Sequence, residues 1–253
     1  MLAFSLQSGS NGNCIFVETG GIKLLFDAGI NGVQAEKKLA SRGRSIGEID
    51  AVIISHDHAD HVRYAGIFQR KYGIPVYITE KTLETASKRL PLGRLNDVRH
   101  FSSEGRIEIG GVTVHSLPTP HDSEDSSAFI VESEGRRLGV MTDLGHVFEG
   151  LSDAISSLDA VFLESNYDPD MLAKGPYTAH LKKRIKGPEG HLSNIEAAEL
   201  LASSENLRWA CLCHLSEQNN RASVAVATHR RIIGSGLPLY IASRYAPSDI
   251  LTV

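Results

Sequence analysis

The segment His56-Asp57-His58-Ala59-Asp60-His61 places three imidazoles and two carboxylates in six consecutive residues, directly after the apolar run Ala51-Val52-Ile53-Ile54. A short, fully apolar run of this kind reads as a strand buried inside a sheet. The chain must therefore pass from a buried strand straight into a loop dense in metal-ligating groups, which ties the fold to a functional loop at one sheet edge. Imidazole and carboxylate are the donors taken by borderline divalent ions such as zinc, manganese or iron. In an extended or turning segment, His56 and His58 point the same way and can grip one ion. Asp60 and His61 begin the next helix and can grip a second, while Asp57 points elsewhere. The competing reading is a polar turn at a strand end, and the density of ligand types argues against it.

Two ions need more donors, and the same placement recurs downstream. His121 follows the strand-like run Val112 to Leu117 and Pro118-Thr119-Pro120, Asp143 follows Gly139-Val140-Met141-Thr142, and His214 follows Ala210-Cys211-Leu212-Cys213. Each is a ligand type at the C-terminal end of a short strand, as in sites assembled from loops along one sheet edge. Asp27, in Phe26-Asp27-Ala28-Gly29, stands at a strand end too. It is a candidate to accept an N–H from a metal-bound histidine and fix its tautomer. The alternative for Asp27 is an ordinary turn aspartate.

The rest of the chain reads as sheets inside and helices outside, an α/β class, in one domain spanning residues 1–253. Ile15–Val17 and Ile22–Phe26 form a hairpin across Gly20-Gly21. Helices are expected over Val33–Arg42, Asp60–Tyr72, Glu80–Arg89, Asn194–Ser203 and Ala222–Ile233. Further strands are expected at Val76–Ile78, Ile107–Ile109, Ser127–Val131, Arg137–Met141, Ala160–Leu163, Trp209–Leu212 and Leu239–Ile241. The formal charge of −4 excludes a globally basic nucleic-acid binder but not a local basic patch. Three cysteines cannot build a disulfide framework and read as a reducing compartment. No run of apolar residues is long enough to cross a membrane, and no leader or lipidation motif is visible, so a cytoplasmic protein away from the membrane is the expectation. Oligomeric state leaves no mark in the sequence.

The His-x-His-x-Asp-His run, Pro120-His121, Thr142-Asp143 and the late His214 resemble the metallo-β-lactamase fold superfamily in order along nearly the whole chain. Gly9-Ser10-Asn11-Gly12-Asn13-Cys14, Gly190-His191-Leu192-Ser193-Asn194 and His214-Leu215-Ser216 with Asn219-Asn220 resemble its YycJ/WalJ-like family of small bacterial hydrolases. The resemblance implies an αββα four-layer sandwich with a dinuclear site at one sheet edge. It implies that His56, His58 and His121 hold one metal, that Asp60, His61 and His214 hold the other, and that Asp143 bridges. Two divalent ions per chain are expected, zinc first, with manganese or iron as alternatives.

A metal-activated hydroxide is the expected nucleophile, with Asp60 as proton acceptor. Three features favour phosphodiesters. A carboxylate at the bridging position resembles the ribonuclease Z-like and nuclease branch, where the drug-hydrolysing branch usually carries cysteine. The loop Gly190-His191-Leu192-Ser193 resembles the His-Ser-Thr loop of ribonuclease Z, which implies His191 as general acid and Glu164 as its support, although Leu192-Ser193 departs from Ser-Thr. Lys174, Lys182, Lys183, Arg184 and Lys186 give +5 with no acid between residues 174 and 188, so a net-acidic chain concentrates positive charge beside His191.

Ser10, Asn11 and Asn13, in a Gly-rich opening, present either a phosphate cradle or a hairpin turn, and Tyr167 and Tyr177 are candidates to stack on bases. Ser193 caps the following helix. His115 and His229 read as structural, while His146 and His180 flank the cleft. The function expected is a dinuclear metal-dependent phosphodiesterase, a nuclease acting on DNA or RNA. The alternative is a hydrolase of a small ester such as a cyclic phosphodiester, lactone or thioester. A metal-binding scaffold without turnover fits less well, because structural sites are usually closed and mononuclear.

Overall fold

In a computed structural model describing residues 1–253, the chain forms two seven-stranded sheets. The first holds β1 (Leu2–Gln7), β2 (Cys14–Thr19), β3 (Ile22–Phe26), β4 (Ala51–Ile53), β5 (Val76–Tyr77) and β6 (Val98–Arg99) in that order. The second holds β7 (Gly105–Ile109), β8 (Val112–Pro118), β9 (Ser127–Ser133), β10 (Arg136–Met141), β11 (Ala160–Glu164), β12 (Trp209–Cys213) and β13 (Leu239–Ile241) in the same manner. A last strand, β14 (Leu251–Thr252), returns to pair with β1. Helices α1 (Gly32–Ala40), α2 (Ala59–Val62), α3 (Ala65–Tyr72) and α4 (Glu80–Arg89) belong to the first half. Helices α5 (Leu151–Ser156), α6 (Pro169–Lys174), α7 (Ala179–Ile185), α8 (Asn194–Ala202) and α9 (Ala222–Ile233) belong to the second.

The strands are apolar on both faces because both faces are covered. Successive residues of a strand point to opposite sides. Leu24 and Phe26 of β3 pack toward the second sheet, against Phe129, Val131, Val140 and Phe162. Leu25, with Phe16, packs outward against Ala35, Leu39 and Phe68 of α1 and α3. On the other side, Val161 and Leu163 of β11 face Ala197, Leu200 and Leu201 of α8. Three apolar layers between four layers of structure give the αββα sandwich expected from the resemblance.

Strand direction decides where the loops meet. β1 to β3 and β7 to β10 run antiparallel in turn, whereas β3 to β6 and β10 to β13 run parallel. β1, β3 and β4 therefore end at one edge of the first sheet, and β8, β10, β11 and β12 end together at one edge of the second. The hairpin expected at Gly20-Gly21 forms, with Thr19 opposite Ile22 and both glycines at positive φ of 56° and 77°.

The helix expected over Asp60–Tyr72 is instead two helices, broken at Arg63-Tyr64. The Ala28 N–H donates to the His61 carbonyl at 2.7 Å, and the Tyr64 N–H donates to the Ala28 carbonyl at 3.0 Å. The loop after β3 takes these backbone groups and interrupts the helical ladder. The sequence reading did not find α5, α6, α7, β6 and β14, which are short, or β1, which is buried on both faces and shows no alternation. No helix is long and apolar enough to cross a membrane.

Candidate metal centre

The site is built on bent strand ends. Asp27 after β3, Asp143 after β10 and His214 after β12 have positive φ of 66°, 52° and 54°. Non-glycine residues take this conformation only when the surroundings hold them there. The loops also interlock through backbone. The Asn13 N–H donates to the Asp60 carbonyl at 2.8 Å, and the Gly29 N–H donates to the Asn13 carbonyl at 3.0 Å. A Cβ on Gly29 would lie 1.7 Å from that Asp60 carbonyl, so only glycine lets the two loops approach.

The strand-end residues converge as two triads around one carboxylate. His56, His58 and His121 bring ligand atoms within 4.8 Å of one another, as do Asp60, His61 and His214. Within the first, His58 Nδ1 lies 3.3 Å from His121 Nε2. Within the second, Asp60 Oδ2 lies 3.6 Å from His61 Nε2 and 3.4 Å from His214 Nε2. Asp143 reaches both, with Oδ2 3.0 Å from His61 Nε2 and Oδ1 3.8 Å from His121 Nε2. Ligand atoms around one tetrahedral ion at about 2.0–2.1 Å stand roughly 3.3 Å apart, which these spacings approach. His56 Nε2 is buried with no hydrogen-bond partner, an arrangement that costs about 1–3 kcal/mol unless a ligand takes the atom. The residues present fit divalent metal binding. Asp57 turns away and pairs with Arg89 at 2.7 Å.

A second set of residues aims the ligands. Asp27 Oδ2 accepts from His61 Nδ1 at 2.7 Å, which turns Nε2 toward Asp60 and Asp143. The Ser55 N–H and Oγ–H both donate to Asp27 Oδ1 at 2.8 Å. His121 Nδ1 donates to the Gly190 carbonyl at 2.9 Å. Burial opposes a charge on His61, yet the Asp27 and Asp143 carboxylates outweigh it and raise its pKa well above the ordinary value. Burial and the neighbouring His61 charge push His56 well below it. The sequence reading missed Ser55 and the Gly190 carbonyl; a serine beside a histidine or a backbone oxygen carries no signal of its own.

His191 and Glu164 meet beside the triads. His191 Nδ1 lies 2.6 Å from Glu164 Oε1 and 3.3 Å from Asp143 Oδ1. Glu164 Oε2 accepts the Leu144 N–H at 3.0 Å and the Leu192 N–H at 3.4 Å. Burial would raise the Glu164 carboxyl, but the His191 charge and hydrogen bond outweigh it and hold it at about 2. Burial would lower His191, but Glu164 and Asp143 outweigh that and lift it to about 9. Ser193 caps α8 in a capping box with Glu196.

Residues 23–215 match the family model of the β-lactamase superfamily domain. The chain belongs to the β-lactamase superfamily. It is 32% identical over 227 residues to the exodeoxyribonuclease WalJ of Streptococcus pneumoniae, covering 88% of this chain and 84% of that one. It is 33% identical over 223 residues to the exodeoxyribonuclease YycJ of Bacillus anthracis, covering 87% and 84%. Among solved structures, the metallo-β-lactamase fold protein YhfI of Bacillus subtilis superposes with a TM-score of 0.76 at 16% identity, covering 98% of this chain and 99% of that one.

Around this superfamily centre, the expected substrate residues separate. Ser10 and Asn11 line a cavity of about 210 Å³ with Asp60 and Arg63. Asn13 points inward. It is 3% exposed, its Nδ2 lies 3.2 Å from Asp60 Oδ2 and 2.9 Å from His61 Nε2, and its Oδ1 accepts the Gly9 N–H. The Gly-rich opening is therefore a turn, with the Gly9, Gly12 and Asn13 N–H groups already taken. Lys183 and Arg184 line a cavity with Asp122 and His180, but Arg184 is ion-paired with Asp122. Lys182 Nζ donates to the Ala173 carbonyl at 2.8 Å.

Tyr167 is buried against Leu172 and Ile185 and is not available to stack on a base, while Tyr177 packs half-buried against the same cluster. His115 pairs with Glu132, and His229 is buried, bonded to the Ala225 carbonyl. His146 bonds to the Pro188 carbonyl beside the loop that carries His191.

Proposed function

We propose that the protein is a metal-dependent nuclease that hydrolyses phosphodiesters of DNA. The observation that carries this reading is the buried Glu164–His191 pair at the edge of the two triads, which keeps a proton on His191 at neutral pH. The two exodeoxyribonucleases that align with most of this chain support DNA as the substrate and cleavage from an end. In this reading His56, His58 and His121 would hold one divalent ion and Asp60, His61 and His214 the other, and Asp143 would be a further donor within reach of both sets. Zinc is the first choice, and manganese or iron suit the same donors. Bound there, such ions supply Lewis acidity toward a phosphoryl oxygen and make nearby water more acidic.

The chain's own residues do the rest. Asp60, whose Oδ2 stands 3.6 Å from His61 Nε2 and 3.4 Å from His214 Nε2, would accept the proton of the attacking water. His191 donates its proton to the leaving oxygen, and Glu164 holds the imidazole in place. Lys182 and Lys183 on α7 engage backbone phosphates, Arg184 being held by Asp122, and Ser10 and Asn11 line the cavity beside Asp60. The centre serves one domain over residues 1–253, and three buried free cysteines agree with a cytoplasmic setting. The test is cleavage of end-labelled single- and double-stranded DNA and RNA after chelation and after return of Zn²⁺ or Mn²⁺. Restored degradation of DNA is expected. Oligonucleotides left intact by the metal-loaded protein overturn the reading.

A further inference from the structure

Asp122 follows His121 and has two different oxygens. Oδ2 is ion-paired with the Arg184 guanidinium of α7. Oδ1 is buried and has no hydrogen-bond partner, although it stands 3.5 Å from His121 Nε2 and 3.7 Å from His58 Nε2. A buried carboxylate oxygen without a donor is costly and calls for an explanation.

The two imidazoles are not equivalent donors. A neutral imidazole carries one N–H. His121 commits its proton to Nδ1, which donates to the Gly190 carbonyl at 2.9 Å, so its Nε2 offers a lone pair and cannot serve Asp122. His58 is turned the other way. Its Nδ1 faces His121 Nε2 at 3.3 Å, inside the triad, and its Nε2 faces outward to Asp122. A His58 that ligates through Nδ1 carries its proton on Nε2, and Asp122 Oδ1 is the acceptor on that side. A shift of roughly 0.8 Å brings the pair into hydrogen-bond range.

We propose that Asp122 is the positioning residue of His58: it accepts the Nε2–H, fixes the ring's tautomer and plane for ligation through Nδ1, and is itself clamped by Arg184. Each triad then has its own carboxylate, because Asp27 does the same for His61 at 2.7 Å. The clamp also ties the basic helix α7 to the metal centre. This inference rests on the metal-centre reading above.

The test measures metal affinity rather than turnover. Chelated wild type, D122N, D122A and D122E are titrated with Zn²⁺ against a chromophoric chelator, with circular dichroism and Tm of the metal-free proteins as the check on folding. D122A is expected to weaken one of two ions about 10–100-fold and leave the other unchanged, with D122N between and D122E recovering most of the loss. The visible spectrum of the Co²⁺ form of D122N is expected to differ from wild type, and this isosteric variant carries the test if D122A fails to fold. Folded variants that all bind two ions with wild-type affinity overturn the role of Asp122 alone. A wild type that binds no ion overturns the metal-centre reading and this inference with it.

Discussion

Glu164→Gln separates proton donation from metal binding. Glu164 is fully buried, and one of its oxygens accepts the Leu144 and Leu192 N–H groups while the other faces His191 Nδ1 at 2.6 Å. A glutamine keeps the backbone bonds with its amide oxygen and so turns its NH₂ toward His191. A donor there favours the neutral imidazole with its lone pair on Nδ1. His191 then falls from about 9 toward its ordinary 6.5. At 1.36 kcal/mol for each tenfold, this gap is roughly 3.4 kcal/mol. It is an upper value, since Asp143 still supports the proton and bound cations oppose it.

The raised pKa holds the proton up to about pH 9 in the folded protein, so the basic limb of the pH–rate profile is the one that moves. For E164Q it moves down by at most about 2.5 pH units, and kcat on duplex DNA at pH 8 falls by up to about 30-fold. Thymidine 5′-(4-nitrophenyl phosphate) has a leaving group that needs no proton, and its kcat falls by less than about tenfold. Metal content measured by plasma mass spectrometry stays at the wild-type level. Equal losses on both substrates, or an unmoved basic limb, refute His191 as the acid that Glu164 sustains.

Gly29→Ala drives a methyl group to 1.7 Å from the Asp60 carbonyl, so the loops must part. A loss of at least about 2–3 kcal/mol in denaturant unfolding is expected, together with a reduced metal content. The double variant K182A/K183A removes two side chains proposed to meet phosphates. The slope of log affinity for duplex DNA against log salt should shrink by about 1.8, with hydrolysis of the small nitrophenyl diester unchanged.

Some of this was legible before folding. The ligand candidates stand out because each follows a short apolar strand, and strands of one direction deliver their ends to one edge. The Asp60–Tyr72 segment shows the opposite case. Its composition favours a continuous helix, but the Ala28 backbone competes for the His61 and Tyr64 groups and breaks it. Asn13 reads as a substrate contact among glycines, and the fold instead buries it against Asp60 and His61. The +5 window between residues 174 and 188 counts charges, and it does not reveal that Arg184 is already committed to Asp122.

The sequence by itself determined which side chains have metal-ligand chemistry, where the buried strands lie and which superfamily the chain resembles, because those follow from residue type and local period. Tertiary structure alone decided which nitrogen of each histidine faces the centre. That choice depends on the partner of the other nitrogen: Asp27 for His61, the Gly190 carbonyl for His121 and Ser55 for His56. Ser55 is the sequence neighbour of His56, but Asp27 and Gly190 come from 34 and 69 positions away, and local sequence has no means to encode such a distance.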